Sequence, residues 1–111
     1  MAGMTVEEFE AYVLFACSNS SIVESAMVTQ LGEAWSKVRM YLIDGSFAEA
    51  SYNEETGKTT FAHIRDNQRV FGADNRRGWH WHPVEDPEAH IPSPAEITFE
   101  EFLQKLEANL K

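Results

Sequence analysis

The stretch ADNRRGWHWHPVEDPEAH, residues 73–90, holds three of the chain's four histidines and two of its three tryptophans. Imidazole exchanges protons near neutral pH, so two imidazoles side by side can take one proton and give another. On a β-strand, alternation sends His80 and His82 to one face and Trp79 and Trp81 to the other. The tryptophans then anchor the strand on a core, and Pro83 ends its ladder. Three readings of this pattern stand side by side.

The first is a metal site. His80 and His82 on one face, completed by His90 or Glu85 from the following loop, match the open three-ligand pattern of zinc or non-haem iron centres. The second is metal-free acid–base chemistry on RNA. One histidine takes the ribose 2′-hydroxyl proton and the other protonates the leaving 5′-oxygen. Arg65, Arg69, Arg76 and Arg77 hold the phosphate and stabilise its added charge. Asp74 orients a histidine, and His63 shares a strand face with Arg65. Exposed aromatic rings are available to stack unpaired bases. The third reading is structural: surface histidines paired with carboxylates, Trp-x-Trp packing, and Asp74 to Gly78 as a turn.

The elements that must position these groups are legible from their ends inward. Thr5-Val6-Glu7-Glu8 is a capping box with Met4 and Phe9 as its staple, and Val6, Phe9, Val13 and Ala16 share one face. That helix ends near Ser18-Asn19-Ser20-Ser21. Thr98-Phe99-Glu100-Glu101 repeats the device with Ile97 and Phe102, after Pro92-Ser93-Pro94, and Phe99, Phe102, Leu103, Leu106 and Leu110 form an apolar stripe. The acidic first turns suit the helix dipole and need no catalytic explanation.

Between the helices the pattern is β. Val38, Met40 and Leu42 alternate with Arg39, Tyr41 and Ile43 before a tight turn at Asp44-Gly45, and Phe47 to Tyr52 returns. Thr59 to Asp66 follows a turn over Glu54 to Lys58, with Phe61, His63 and Arg65 on one face. Arg69-Val70-Phe71 and Gly78 to His82 add short strands, and Ile22 to Leu31 pairs more weakly. The expectation is one α+β domain over residues 1–111: an antiparallel meander of four to six strands with an N-terminal and a C-terminal helix on one face. The opening Met1-Ala2-Gly3-Met4 is set aside, with Met4 read as the start.

The 111 residues carry a formal net charge of −9, with 43% hydrophobic and 12% aromatic residues, an ordinary globular balance. The charge is segregated. Lys58 to His82 holds five basic residues against two acidic ones, while the remainder holds four against sixteen. A locally positive patch on an acidic body is one consequence; arginines engaged in surface salt bridges are the other. Cys17 is the single cysteine, which excludes an internal disulfide and any multi-cysteine zinc motif. Its apolar neighbours make it a core residue. The longest apolar run, Tyr12 to Cys17, is far too short to cross a membrane, and no basic leader precedes it. A cytoplasmic setting is expected.

The order of features resembles the TumE-type toxins of prokaryotic toxin–antitoxin modules over about residues 36–106. The residues that carry the likeness are Asp44-Gly45-Ser46, Phe61-Ala62-His63, Arg69-Val70-Phe71, Asp74-Asn75, and His80-Trp81-His82 with His90. This chain places Arg76-Arg77-Gly78-Trp79 between Asp-Asn and the histidines, and Trp81 between the histidines. The resemblance implies a small ribonuclease cutting mRNA, silenced by a cognate antitoxin, with Asp74, Asn75, His80 and His82 inheriting the motif. The leading expectation is therefore a metal-independent endoribonuclease acting on single-stranded RNA. His80, His82 and Asp74 are its catalytic groups, and Arg65, Arg69, Arg76 and Arg77 its RNA contacts. The alternatives are a divalent-metal domain using His80, His82 and His90, with zinc as the example, and a non-catalytic acidic interaction module.

Overall fold

The computed structural model describes residues 3–110; Met1, Ala2 and Lys111 lie outside the described residues, and with them part of the opening set aside above. Helix α1 spans Val6–Ser18 and helix α2 spans Phe99–Leu110. Between them run β1 (Val23–Leu31), β2 (Trp35–Leu42), β3 (Phe47–Asn53), β4 (Thr59–Arg65), β5 (Gln68–Asp74), β6 (His80–His82) and β7 (Ile91–Pro92). They form one antiparallel meander in chain order, so the fold is α+β as expected. Seven strands exceed the expected four to six; the addition is the two-residue β7. No helix among the described residues is long and apolar enough to cross a membrane.

Both helix starts are built as their sequences dictate. Thr5 accepts the Glu8 N–H at 3.1 Å and Glu8 accepts the Thr5 N–H at 2.9 Å. Thr98 and Glu101 exchange the equivalent pair at 3.1 and 3.3 Å. Each box satisfies two N–H groups that a helix start leaves without partners. Tyr12 joins the helices: its hydroxyl donates to Glu100 and accepts the Phe99 N–H.

Cross-strand register explains where the core sits. Val38, Ala50, Phe61, Ala73 and Trp81 lie opposite one another in one continuous row. All but the half-buried Trp81 are fully enclosed, because the helices cover this face. Phe9 stacks on Tyr52 at 5.0 Å, and Phe61 meets Phe99 and Phe102 of α2 at 5.5 and 5.4 Å. Cys17 is buried, and its desolvation pushes the thiol up to about 12, so it is an inert core residue.

The neighbouring rows point away from the helices. One runs through Lys37, Ser51, Thr60, Asp74 and His80, the next through Arg39, Glu49, Ala62, Gly72 and His82. A single alternation thus places both histidines and Asp74 on the helix-free face.

A second polar cluster closes the β2–β3 turn. Ser46 donates to Asp44 at 2.5 Å and accepts from His63 Nε2 at 2.8 Å, while Arg65 pairs with Asp44 at 2.5 Å. Burial raises the Asp44 carboxyl, but the Ser46 hydroxyl and N–H and the Arg65 guanidinium outweigh it and hold the group down at about 2. Burial of His63, reinforced by Arg65, lowers its imidazole. The stability from Asp44 is complete above its unfolded value of about 3.9 and is lost as pH falls toward the folded value. His63 acts with the same sign: the unfolded chain takes up its proton near about pH 6.5, before the folded one does. The melting temperature should therefore fall in two stages on acidification. His63→Gln should flatten the upper stage and Asp44→Asn the lower; melting curves from pH 7 to 2 that neither change alters would contradict this.

Candidate active site

An open cleft of about 500 Å³ lies at the β5–β6 end of the helix-free face. Asp74, His80, His82 and His90 line it together with Arg69, Arg76 and Arg77, against a wall of Gly78, Trp79 and Pro92. The structure thus gathers the candidate site residues except Arg65, which pairs with Asp44 at the β2–β3 turn, and Glu85, which lines a separate hollow with Phe71, Trp81 and Pro83. His63 is likewise elsewhere, buried on the helix-covered side against Ser46.

The strand pair β5–β6 sets the first half of the site. Asp74 faces His80 directly across the ladder and Gly72 faces His82. Trp79 stacks on Phe61 at 5.9 Å and Trp81 on Phe71 at 5.7 Å, so the rings that alternate with the histidines fix the strand from the core side. Gly72 is needed for close approach: a Cβ there would stand 2.7 Å from the Phe61 carbonyl oxygen and 3.3 Å from Arg69 Cδ.

Asp74 is the hub. One carboxylate oxygen lies 2.9 Å from His82 Nε2, and the other 3.3 Å from His80 Nε2. That second oxygen also accepts the Arg76 N–H at 3.0 Å, which opens the turn. Burial pushes the Asp74 carboxyl up, but its bond with His82, the Arg76 N–H and the nearby imidazoles bring it below the ordinary carboxylate value. A carboxylate is thereby available to fix both rings. His80 Nδ1 donates to the Gly78 carbonyl at 3.0 Å. His82 is 3% exposed and lies beneath the other groups, whereas His90 is exposed.

The second half comes from the loop after β6. Turns at Pro83–Asp86 and Asp86–Ala89 reverse the chain, and Arg69 Nη2 clips that loop through the Pro87 carbonyl at 3.1 Å. The β6–β7 ladder pairs His80 with Pro92 and Trp81 with Ile91, and the same register brings His90 beside His82. The three imidazole centroids then form a triangle with every side 4.8 Å.

Arg76 and Arg77 occupy the corner of the turn closed by the Gly78 N–H on the Asn75 carbonyl. Arg77 has φ +58° and Gly78 +96°, the left-handed conformation that such a corner requires. Asn75 secures its base, accepting the Thr59 N–H and donating to the Gly57 carbonyl at 2.9 and 2.8 Å. Among the described residues, Arg39 is neutralised by Glu49 and Arg65 by Asp44, but the guanidinium groups of Arg69, Arg76 and Arg77 have no carboxylate oxygen within 4.0 Å. The cleft therefore concentrates guanidinium groups with hydrogen-bond capacity to spare on an otherwise acidic molecule.

Comparison with protein-family models, curated proteins and solved structures gives no match for this chain.

Proposed function

We propose that the cleft binds a phosphodiester of single-stranded RNA and cleaves it by metal-free proton transfer. The observation that carries this reading is the convergence on one open cleft of three histidines and Asp74 with three arginines whose guanidinium groups form no ion pair among the described residues. Planar guanidinium groups match a phosphate's oxygens, and a cleft with three arginines against the single carboxylate of Asp74 attracts a polyanion even on a molecule of net charge −9.

In this mechanism Arg76 and Arg77 seat the scissile phosphate. His80, its Nδ1–H committed to the Gly78 carbonyl, takes the 2′-hydroxyl proton on Nε2, and the adjacent Asp74 stabilises the imidazolium formed. The 2′-oxygen attacks phosphorus, the P–O5′ bond breaks, and His90 protonates the departing 5′-oxygen. The products are a 2′,3′-cyclic phosphate and a free 5′-hydroxyl. His82 is too enclosed to meet the substrate and acts as a positioning residue, held by Asp74. The resemblance to TumE-type toxins supports the same reading, with cytoplasmic single-stranded RNA as substrate and an antitoxin protein as partner.

The test uses one oligonucleotide sequence made with ribose and with 2′-deoxyribose throughout. The ribose form should be cut to cyclic-phosphate ends and the deoxy form left intact, because it lacks the nucleophile. Equal cutting of both, or of neither, would remove the proposed chemistry.

A further inference from the structure

We infer that His80, His82 and His90 also form a binding site for one divalent transition-metal ion of the zinc class. The site itself does not rest on the proposed cleavage, since metal binding is read without RNA; only its inhibitory effect does.

The first support is spacing. Three imidazoles bound tetrahedrally to one ion through bonds of about 2.0–2.1 Å place their ring centroids about 5 Å apart. The three observed separations are each 4.8 Å. One nitrogen from each ring already lies within 4.8 Å of the other two. Bonding one ion brings those nitrogens to about 3.3 Å from one another, a closure that the exposed His90 on its loop can supply.

The second support is the hydrogen-bond state of each ring. His82 gives Nε2–H to Asp74, so its Nδ1 carries the lone pair. That Nδ1 is buried and has no partner. A buried nitrogen lone pair left without a donor is costly, and a cation beside it removes the cost. His80 gives Nδ1–H to the Gly78 carbonyl, leaving its Nε2 lone pair for the ion. Ligating histidines ordinarily donate their other N–H to a carboxylate or a backbone carbonyl, and these two rings show one of each. Two rings are thus held by their other nitrogens before any metal arrives, with His80 Nε2 beside Asp74 Oδ1 at 3.3 Å.

The donor set names the metal class. Three imidazoles suit zinc, copper, nickel or iron, while calcium and magnesium require oxygen ligands that this triangle lacks. A fourth position opens on the cleft, where Arg69, Arg76 and Arg77 favour water or an anion over a further protein ligand. An imidazole nitrogen bonded to metal has no lone pair for a proton. The loaded site is therefore silent in metal-free cleavage, and zinc acts as an inhibitor that chelation reverses.

The test is titration of tag-free, chelator-stripped full-length protein with Co²⁺, followed by Zn²⁺. The expected result is one equivalent of Co²⁺ with the intense visible absorption of a four-coordinate site, displaced by one equivalent of Zn²⁺. His90→Ala, at an exposed loop position outside the core, should weaken binding at least 100-fold. Asp74→Asn should weaken it about 10–100-fold. Absence of one-to-one binding, or binding that His90→Ala leaves intact, would overturn the site. One-to-one binding without any RNA cleavage sustains the site and defeats the cleavage reading. Cleavage only in the loaded protein also sustains the site, and defeats both the metal-free mechanism and the inhibition.

Discussion

Replacing His80 with alanine is expected to lower RNA cleavage roughly 10²–10⁴-fold, the usual contribution of a positioned general base. The fold should survive. The His80 side chain is 12% exposed and its direct hydrogen bond goes to a turn carbonyl, so the melting temperature should stay within about 5 °C of wild type. The comparison that gives this result meaning is His63→Ala. His63 is as strongly buried as His82, but it packs against Ser46 and takes no part in the cleft. Its loss should reduce stability while the remaining folded protein cleaves at the wild-type rate. Cleavage unchanged in His80→Ala, or lost equally in both variants, would remove His80 from the chemistry.

The largest effect on stability is expected at Phe102. Its ring is fully buried between the helix and the sheet, against Phe61 at 5.4 Å, Phe71 at 5.5 Å and Phe99 at 6.1 Å. Phe102→Ala removes the centre of this aromatic cluster and leaves a cavity, at a cost of about 3–5 kcal/mol. Against a total stability of about 5–15 kcal/mol, that is a large fraction. Urea denaturation should show a midpoint shifted down at nearly constant slope. A loss under about 1 kcal/mol would mean that α2 is not docked as described. The same change loosens the support of the site, because Phe61 and Phe71 carry Trp79 and Trp81 on their other sides.

These two residues illustrate what the sequence discloses. Phe102 is legible as a core position because its capping box and apolar stripe are local signals, set by the 3.6-residue period. His80 and His82 are legible as same-face neighbours because a strand has a period of two, and the intervening tryptophans mark the buried side. Asp74 as the orienting group followed from proximity in the chain, and the β5–β6 register does place it opposite His80.

Other features depend on contacts that no local pattern records. His90 enters through a two-residue ladder containing Pro92, too short and too irregular to carry an alternation signal. Arg65 and His63 shared a strand with an apparent site face. Sheet register assigns His63 to the helix-covered side, and Asp44, distant in sequence, claims Arg65. Strand β1 read weakly because it is an edge strand whose residues are largely exposed, so its apolar positions do not alternate cleanly. Seating an arginine at positive φ before Gly78 is likewise a consequence of the closed turn rather than of residue preference.

The measurement that bears most directly on the cleft as an RNA-cleaving site is cleavage of a mixed-sequence single-stranded RNA at low salt by chelator-stripped protein, with EDTA present throughout. The expected result is cleavage that persists in EDTA and disappears in His80→Ala; in a parallel reaction free of EDTA, one equivalent of zinc suppresses it. Wild-type protein that is folded and leaves the RNA intact under these conditions would contradict it.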